Sequence, residues 1–501
     1  VLRAVHKGAR LVVVDPRRTS TAAFADRWLP LDVGSDIALS NSVAREIIAA
    51  GLVHTDFVGR ATEGFDEYAA SVEPWTLEHG EEITGVPAAS IRDLAHWYAE
   101  AEHAQLCWTL GITEHHTAVD NVLALINLGL LTGHVGRWGS GLNPLRGQNN
   151  VQGGGDMGAL PNKLPGFQDV TDPDLRARVE AIWDRPIPPE EGKHLTAMFD
   201  AMAEDELRAV YVLGENPAQS EADVSRAIRL LQGLDHLVVQ DLYLTKTAEL
   251  ADVVLPATAA WCETEGTVTN SERRVQRVRA AVAPPPGARD DIEILAEIAT
   301  RLGEPWSGLD AETVWNEVRR VAPSHHGMTY ARLEALGGIQ WPCWSEDALE
   351  PTFLHGRLWA DDPADRGHPA PFSVVEWSPP VDTLSPEFPI RLTTGRRLDS
   401  YNTGVQSRRF RSPMRFGETI DLSAADVAAL GLAEGETVRI SSRRGSVLAP
   451  VRIDPGLRAG LAFMTMHFPD DVDTNQLTIE ANDPKSGTAE FKASAIRIDR
   501  V

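Results

Sequence analysis

Apolar runs and polar turns alternate along the chain in a way that predicts strands and helices in repeating order. The run 9–15 (ARLVVVD), closed by Pro16, predicts a buried parallel strand, and residues 36–50 a helix. A second strand at 105–109 leads through Gly111 to an apolar helix over 118–132. The pattern returns with AVYVLG at 209–214, a helix over 221–231, HLVVQD at 236–241 and ADVVLP at 251–256. Strands interleaved with helices predict βαβ units and parallel sheets covered on both faces. Beyond about residue 389, TVRISS, SVLAPVRI and LAFMTMHF are short alternating segments, so the C-terminal part is expected to be mostly β. The fold class is therefore α/β, two parallel-sheet blocks that are candidates for related halves, followed by a mostly-β domain. Residues 139–168, rich in Gly, Asn, Gln and Pro, show neither period and predict a long structureless, functional segment. The Pro-rich stretch 341–389 reads as a connection laid over the surface.

Composition narrows the function classes. At 501 residues the chain has room for about three domains. The balance of 47 basic against 72 acidic residues, net −25, argues against nucleic acid or anionic membrane as a partner. Any anionic ligand needs a local positive site. The cysteines Cys107, Cys262 and Cys343 are dispersed and match no zinc, thioredoxin-like or iron-sulfur spacing, which makes a reducing, cytoplasmic setting the default. The apolar stretch 122–131 includes Asn127 and falls short of the roughly 20 residues of a membrane helix. No signal-peptide layout follows Val1, and the chain reads as a piece whose beginning is missing, an export signal upstream being left open.

Several motifs invite chemistry. Gly153, Gly155 and Gly158 match GxGxxG, but polar residues 146–152 stand where a buried strand should precede a dinucleotide-binding turn. His115-His116 and His325-His326 have no acidic or cysteine partner at ligand spacing and read as solvated or packing histidines, with no metal site. Ser140 follows Trp138-Gly139, which breaks the nucleophile-elbow pattern. More informative are the polar strand-end loops: DPRR at 15–18, GSD at 34–36, GEN at 214–216, QD at 240–241 and TKT at 245–247. Open α/β sheets bind ligands at the carboxyl ends of their strands, where helix starts favour phosphate. Arg17 and Lys246 suit phosphate there, and an acidic side chain suits a guanine edge or ribose hydroxyls. Each alone is more often a turn or a cap.

Together they change the reading. The stretch RGQNNVQGGGDMGALPNKLPGFQ resembles the signature of molybdopterin-dependent oxidoreductases, and among them the catalytic subunit of formate dehydrogenases. VVVDPRRT, GSDIALSN, LGITEHHTAVDNVLALINLGLLTGHVGR, VLGENPAQSEAD, VVQDLYLTKTAELADVVLPATAAWCETEGTVTNSERRVQ, LTTGRRLDSYNTGVQSRR and LTIEANDPKSGTAEFK follow that family's order, most weakly between about 305 and 388. The resemblance implies a bis(molybdopterin guanine dinucleotide) cofactor with molybdenum or tungsten, held between two related α/β domains and covered by a β-barrel. It implies a first dinucleotide-binding domain at 1–148, a second at 149–340 with inserted parts of a β-rich domain, a connection at 341–388 and the barrel at 389–501. Cofactor contacts would fall on Asp15, Arg17, Gly34, Asp36, Gly111 and Glu114 in the first block. In the second they would fall on Gly214, Glu215, Asn216, Gln240, Asp241, Thr245 and Lys246. The barrel would add Arg396, Asn402, Thr403, Ser407, Asn475 and Lys492. Arg146 and Gln148 would line the substrate site, where the planar fork of an arginine suits the carboxylate of formate. A structural arginine tied to loop carbonyls or to Asp156 is the competing reading.

The implied reaction is oxidation of formate to carbon dioxide at a metal-sulfido centre, with two electrons leaving to a partner subunit or carrier. The family's 4Fe-4S cluster and its cysteine or selenocysteine metal ligand match nothing in these 501 residues, so the fragment alone is expected to be inactive. Glu114 stands where the family usually has Gln, Gly155 where it often has Cys, and Ser400-Tyr401-Asn402-Thr403-Gly404 where it has His-aromatic-His-Thr-Gly. These departures leave two alternatives: another oxidoreductase of the superfamily, such as a nitrate reductase-like enzyme, or a silent cofactor-binding or electron-relay subunit.

Overall fold

Residues 1–348, 353–397, 400–403 and 417–501 are described in a computed structural model. Two compact units result: Val1–Leu142 with Pro217–Arg229 and Arg357–Val501, and Asn143–Asn216 with Leu230–Gly356.

In the first unit the β-branched run forms the strand Val12–Val14, paired in parallel with Arg27–Leu29. The chain then enters the helix Asp36–Ala49, whose first-turn Asp36 complements the helix dipole. Leu39, Val43 and Ile47 recur every four residues and are buried with Phe57, Tyr68, Ile91 and Leu131. The expected apolar helix is Ala118–Thr132, ended by Gly133 in the left-handed conformation, a usual helix stop. The connection ahead of the barrel does more than cross the surface. Its Leu358 and Phe372 enter this core, Phe372 stacks on Tyr68 at 5.0 Å between ring centroids, and Ala370–Pro371 pairs in parallel with Thr62–Glu63.

The C-terminal part closes into a six-stranded barrel in the order Ile390–Gly395, Leu461–Thr465, Ile420–Leu422, Ser446–Ile453, Thr437–Ser441, Ser494–Arg500. Ile390–Gly395 runs parallel to Leu461–Thr465 and antiparallel to the last strand, which closes the ring. Strand alternation sends Leu392, Ile420, Leu422, Val438, Ile440, Val451, Met464 and Ile496 to the interior.

In the second unit Ala209–Leu213, His236–Asp241 and Val253–Pro256 form a parallel sheet with the middle segment at its centre. One face holds the buried Val212, Leu237 and Val239. The period of two sends Tyr211, Leu213 and Val253 to the other face, where they are exposed, and on the first face Val254 at the edge is exposed as well, so neither face is fully covered. A second, antiparallel sheet joins Gly266–Thr269, Arg274–Val278 and Ile339–Gln340 over Val275, Trp315, Met328 and Leu333.

The segment 139–168 is not structureless. It contains the strand Gly141–Pro144, the helix Val151–Asp156, and a small antiparallel pair, Lys163–Leu164 with Gln168–Asp169. Packing rather than periodicity makes the helix: Thr269 N donates to Asn150 Oδ1 at 2.9 Å, and a Cβ on Gly153 would meet that same oxygen at 2.0 Å. The glycine is required by close approach, not by a phosphate turn. Among the described residues no helix is long and apolar enough to cross a membrane.

Candidate functional site

The end of the first strand carries Asp15 and Arg17. The turn is set by Arg17 N donating to Asp15 Oδ1 at 2.8 Å and by Trp28 Nε1 donating to Asp15 O at 2.8 Å. The Arg17 guanidinium lies over the Phe463 ring of the barrel at 3.4 Å, and Asp454 is 3.6 Å from it. Arg397 approaches the same ring at 5.3 Å and is ion-paired with the fully buried Asp421. Arg17 Nε and Arg397 Nε and Nη1 are buried and donate to no acceptor among the described residues. Burial pushes the Asp15 carboxyl up and the Arg17 guanidinium down from their ordinary values. Arg397 is absent from the sequence-derived set, which took Arg396, its exposed neighbour. The doublet at 396–397 was visible in the sequence, but only the barrel's pairing shows which member turns inward.

Gly34 has φ +83°, and a Cβ there would strike Pro380 at 2.7 Å, so its missing side chain admits the 372–382 segment. Gly111, by contrast, faces open space. Glu114 is ion-paired at 2.6 Å with Lys492, both nearly buried. Beside them lies Glu490, which no sequence signal singled out, with His115 and His116 on its carboxylate at 3.2 and 3.3 Å. The adjacent histidines are thus packed against an acid 375 and 374 positions away, which is why local spacing revealed no partner. Asp36 is pushed up by burial, offset in part by His115.

In the barrel, Asn475 is buried and its Nδ2 donates to the carbonyls of Gln219 and Ser220 at 3.3 and 3.2 Å. Asn402 has φ +48°, and its carbonyl accepts from His467 Nδ1 at 2.6 Å. Thr403 follows it, half-buried. Ser407, like Gly404, lies outside the described residues.

In the second unit, Gly214 ends its strand at φ +66° with open space where a Cβ would stand. Glu215 beside it is exposed. Asn216 Oδ1 braces the 245–248 turn, accepting from Thr247 N at 3.2 Å and Thr247 Oγ1 at 2.8 Å, and Thr245 Oγ1 accepts from Ala248 N at 3.1 Å. Lys246 projects from that turn, half-buried. Gln240 is buried and bonded to Tyr211 and Asp291, while burial pushes its neighbour Asp241 up. Arg146 and Gln148 lie in the loop 145–150. Arg146 N donates to Ser271 Oγ at 2.9 Å, and its Nε reaches Gln152 Oε1 at 3.4 Å. Gln152 Nε2 donates to Asp156 Oδ1 at 2.8 Å, and Trp341 Nε1 to Asp156 Oδ2 at 2.7 Å. Arg146 is therefore tethered to Asp156 through Gln152 rather than paired with it directly.

The model for "Molybdopterin oxidoreductase" matches residues 1–301, and that for "Molydopterin dinucleotide binding domain" matches residues 390–495. The chain belongs to the molybdopterin oxidoreductase family. It is 39% identical to F420-dependent formate dehydrogenase 2 subunit alpha of Methanococcus maripaludis, over 100% of this chain and 73% of that protein. It is 36% identical to formate dehydrogenase H of Escherichia coli, over 100% of this chain and 70% of that protein. Acetylene hydratase from Pelobacter acetylenicus has the same fold, with a TM-score of 0.74 at 21% identity, covering 100% of this chain and 75% of that one.

The residues present suit the family's molybdopterin dinucleotide. Buried guanidinium donors without acceptors among the described residues at Arg17 and Arg397, and open glycines at a helix start (Gly111) and a strand end (Gly214), are what an anionic dinucleotide requires. Gly34 packs against Pro380, and Gln240 and Asn475 are hydrogen-bonded within the protein. No group of three or more His, Cys, Asp or Glu among the described residues could hold a metal ion.

Proposed function

We propose that the chain oxidises formate to carbon dioxide as part of a molybdopterin enzyme, releasing a proton and two electrons to an acceptor. The whole-length likeness to two proteins named formate dehydrogenase carries this reading. A molybdenum or tungsten bis(molybdopterin guanine dinucleotide), when bound, supplies the two-electron chemistry. The chain's own residues bind and orient. Arg146 holds the formate carboxylate and aims its C–H bond, with Gln148 beside it. Asp15, Arg17, Gly34, Asp36, Gly111 and Glu114 serve one dinucleotide, and Gly214, Glu215, Asn216, Gln240, Asp241, Thr245 and Lys246 the other. Arg396, Asn402, Thr403, Ser407, Asn475 and Lys492 complete the set from the barrel side. The domain limits 1–148, 149–340, 341–388 and 389–501 belong to the same proposal. So do a 4Fe-4S cluster on residues outside these 501, an electron-transfer subunit or carrier as partner, and a cytoplasmic location.

The test is composition and turnover of the full protein purified anaerobically from cells competent in cofactor synthesis. About two GMP per metal atom on acid hydrolysis, with formate-dependent dye reduction, is the expected result. Metal without formate turnover, or nitrate reduction in its place, sinks the substrate assignment.

A further inference from the structure

We propose that Glu490 is a positioning residue, whose carboxylate clamps together the two segments carrying Glu114 and Lys492. This rests on the reading that those two residues face a dinucleotide. Glu490 has no exposed surface and accepts five hydrogen bonds. Oε2 takes His115 Nδ1 at 3.2 Å, His116 N at 3.0 Å and His116 Nδ1 at 3.3 Å. Oε1 takes Lys492 N at 2.9 Å and Ala493 N at 3.0 Å. One oxygen therefore holds the turn before the helix Ala118–Thr132, and the other holds the approach to the last barrel strand. Phe491 N donates to Glu114 O at 3.2 Å, which sets the two backbones side by side, and the Lys492–Glu114 ion pair spans the same junction. Lys492 is fixed further by Thr394 O at 3.2 Å, and His116 by Ser378 Oγ at 3.0 Å.

The charges explain why a carboxylate is needed rather than an amide. An ionised carboxylate only accepts, so both histidines present Nδ1–H to it. His115 faces Glu490, Asp36 and Lys492, and Asp36 in turn faces Asp15. Burial opposes a charge on His115, but the charge and hydrogen bond of Glu490, with Asp36 behind, outweigh it and push the imidazole up. Glu490 is held well below the usual carboxylate range: its burial is outweighed by His115, His116 and their bonds. The raised imidazole and the depressed carboxyl both favour the same state, a charged pair.

Glu490→Gln keeps the shape and an acceptor for the Lys492 and Ala493 amides, but it sets an amide NH2 where Oε2 takes the N–H groups of His115 and His116. In full-length protein purified anaerobically, guanine nucleotide retained per protein after gel filtration is expected to be at least about fivefold lower in Glu490→Gln than in wild type, a loss of about 1 kcal/mol in retention. Glu490→Asp, which keeps the charge and accepts only, is expected to recover part of that loss. A crystal structure of Glu490→Gln should show Glu114 and Lys492 parted. His115→Gln, which leaves Glu490 its hold on Lys492 and Ala493, should lower retention in the same direction and serves if E490Q does not fold. Equal loss in Glu490→Asp and Glu490→Gln marks a merely structural clamp and overturns the proposal, as does an intact Glu114–Lys492 pair or wild-type retention in H115Q. Wild-type protein without guanine nucleotide instead sinks the cofactor reading on which the proposal rests.

Discussion

Replacing Arg146 with lysine separates charge from geometry at the proposed substrate site. The arginine uses Nε toward Gln152, which is fixed through Asp156 to Trp341, and its Nη atoms have no partner among the described residues. A guanidinium can thus be aimed by one edge and bind a carboxylate with another. Lysine keeps the cation but has one ammonium for both tasks. Loss of one of two charge-assisted hydrogen bonds removes about 1.5 to 3 kcal/mol. At about 1.36 kcal/mol per decade, that is roughly tenfold to 150-fold in kcat/KM for formate. Gln152→Leu, which cuts the tether and leaves the guanidinium, should show a smaller loss in the same direction. The assay is formate-dependent dye reduction by full-length protein, with metal and guanine nucleotide measured on the same samples. Unchanged kcat/KM in Arg146→Lys refutes the assignment, and activity that falls only in proportion to metal content makes Arg146 a structural residue.

Lys492→Met leaves Glu114 unpaired in a nearly buried place, and is expected to cost about 3 kcal/mol in urea unfolding and to lower retained guanine nucleotide. Asp382 is buried between Arg443 and Arg444 and accepts from Ala495 N at 2.8 Å, so burial, which raises its carboxyl, is outweighed and the group lies below its ordinary value. A depressed carboxylate contributes stability above its unfolded value of about 3.9 and loses it as pH falls through the folded value, so acid unfolding should begin at higher pH in Asp382→Asn, read by circular dichroism. That variant should cost about 2 kcal/mol at pH 7, the low side for a buried pair because Arg443 is more than a third exposed. The 501 residues expressed alone should give no formate-dependent dye reduction, because Cys107, Cys262 and Cys343 are dispersed and form no cluster; any turnover overturns the assignment of the metal ligand to other residues.

Strand and helix cores were legible wherever burial imposes one period. HLVVQD is a strand over its whole length, His236–Asp241, and the apolar run at 118–132 is a helix over its whole length, because each is held by tertiary burial of the residues that set its pattern. What was not legible depends on partners remote in sequence. The helix Val151–Asp156 is rich in glycine and poor in intrinsic propensity, and exists because Asn150 reaches Thr269. The Pro-rich connection gave no period, yet it buries Phe372 against Tyr68, since irregular backbone delivers a core side chain without leaving a pattern behind.

The same distinction divides the candidate site. Strand-end loops announce themselves locally, because a turn at the end of a buried run needs Asp, Asn and Gly at fixed offsets. Asp15 and Gly214 were singled out on that ground. The groups that hold such loops need only arrive from elsewhere with the right charge. Glu490 meets His115 across 375 positions, and Asp421 meets Arg397 from another strand of the barrel. Nothing in EFK or IDL marks these acids out from any surface carboxylate. Burial does, because a fully buried carboxylate costs several kcal/mol unless cations or N–H donors surround it. A buried acid thus implies partners, and where those partners flank proposed ligand contacts it implies that the contacts are preorganised before the ligand arrives.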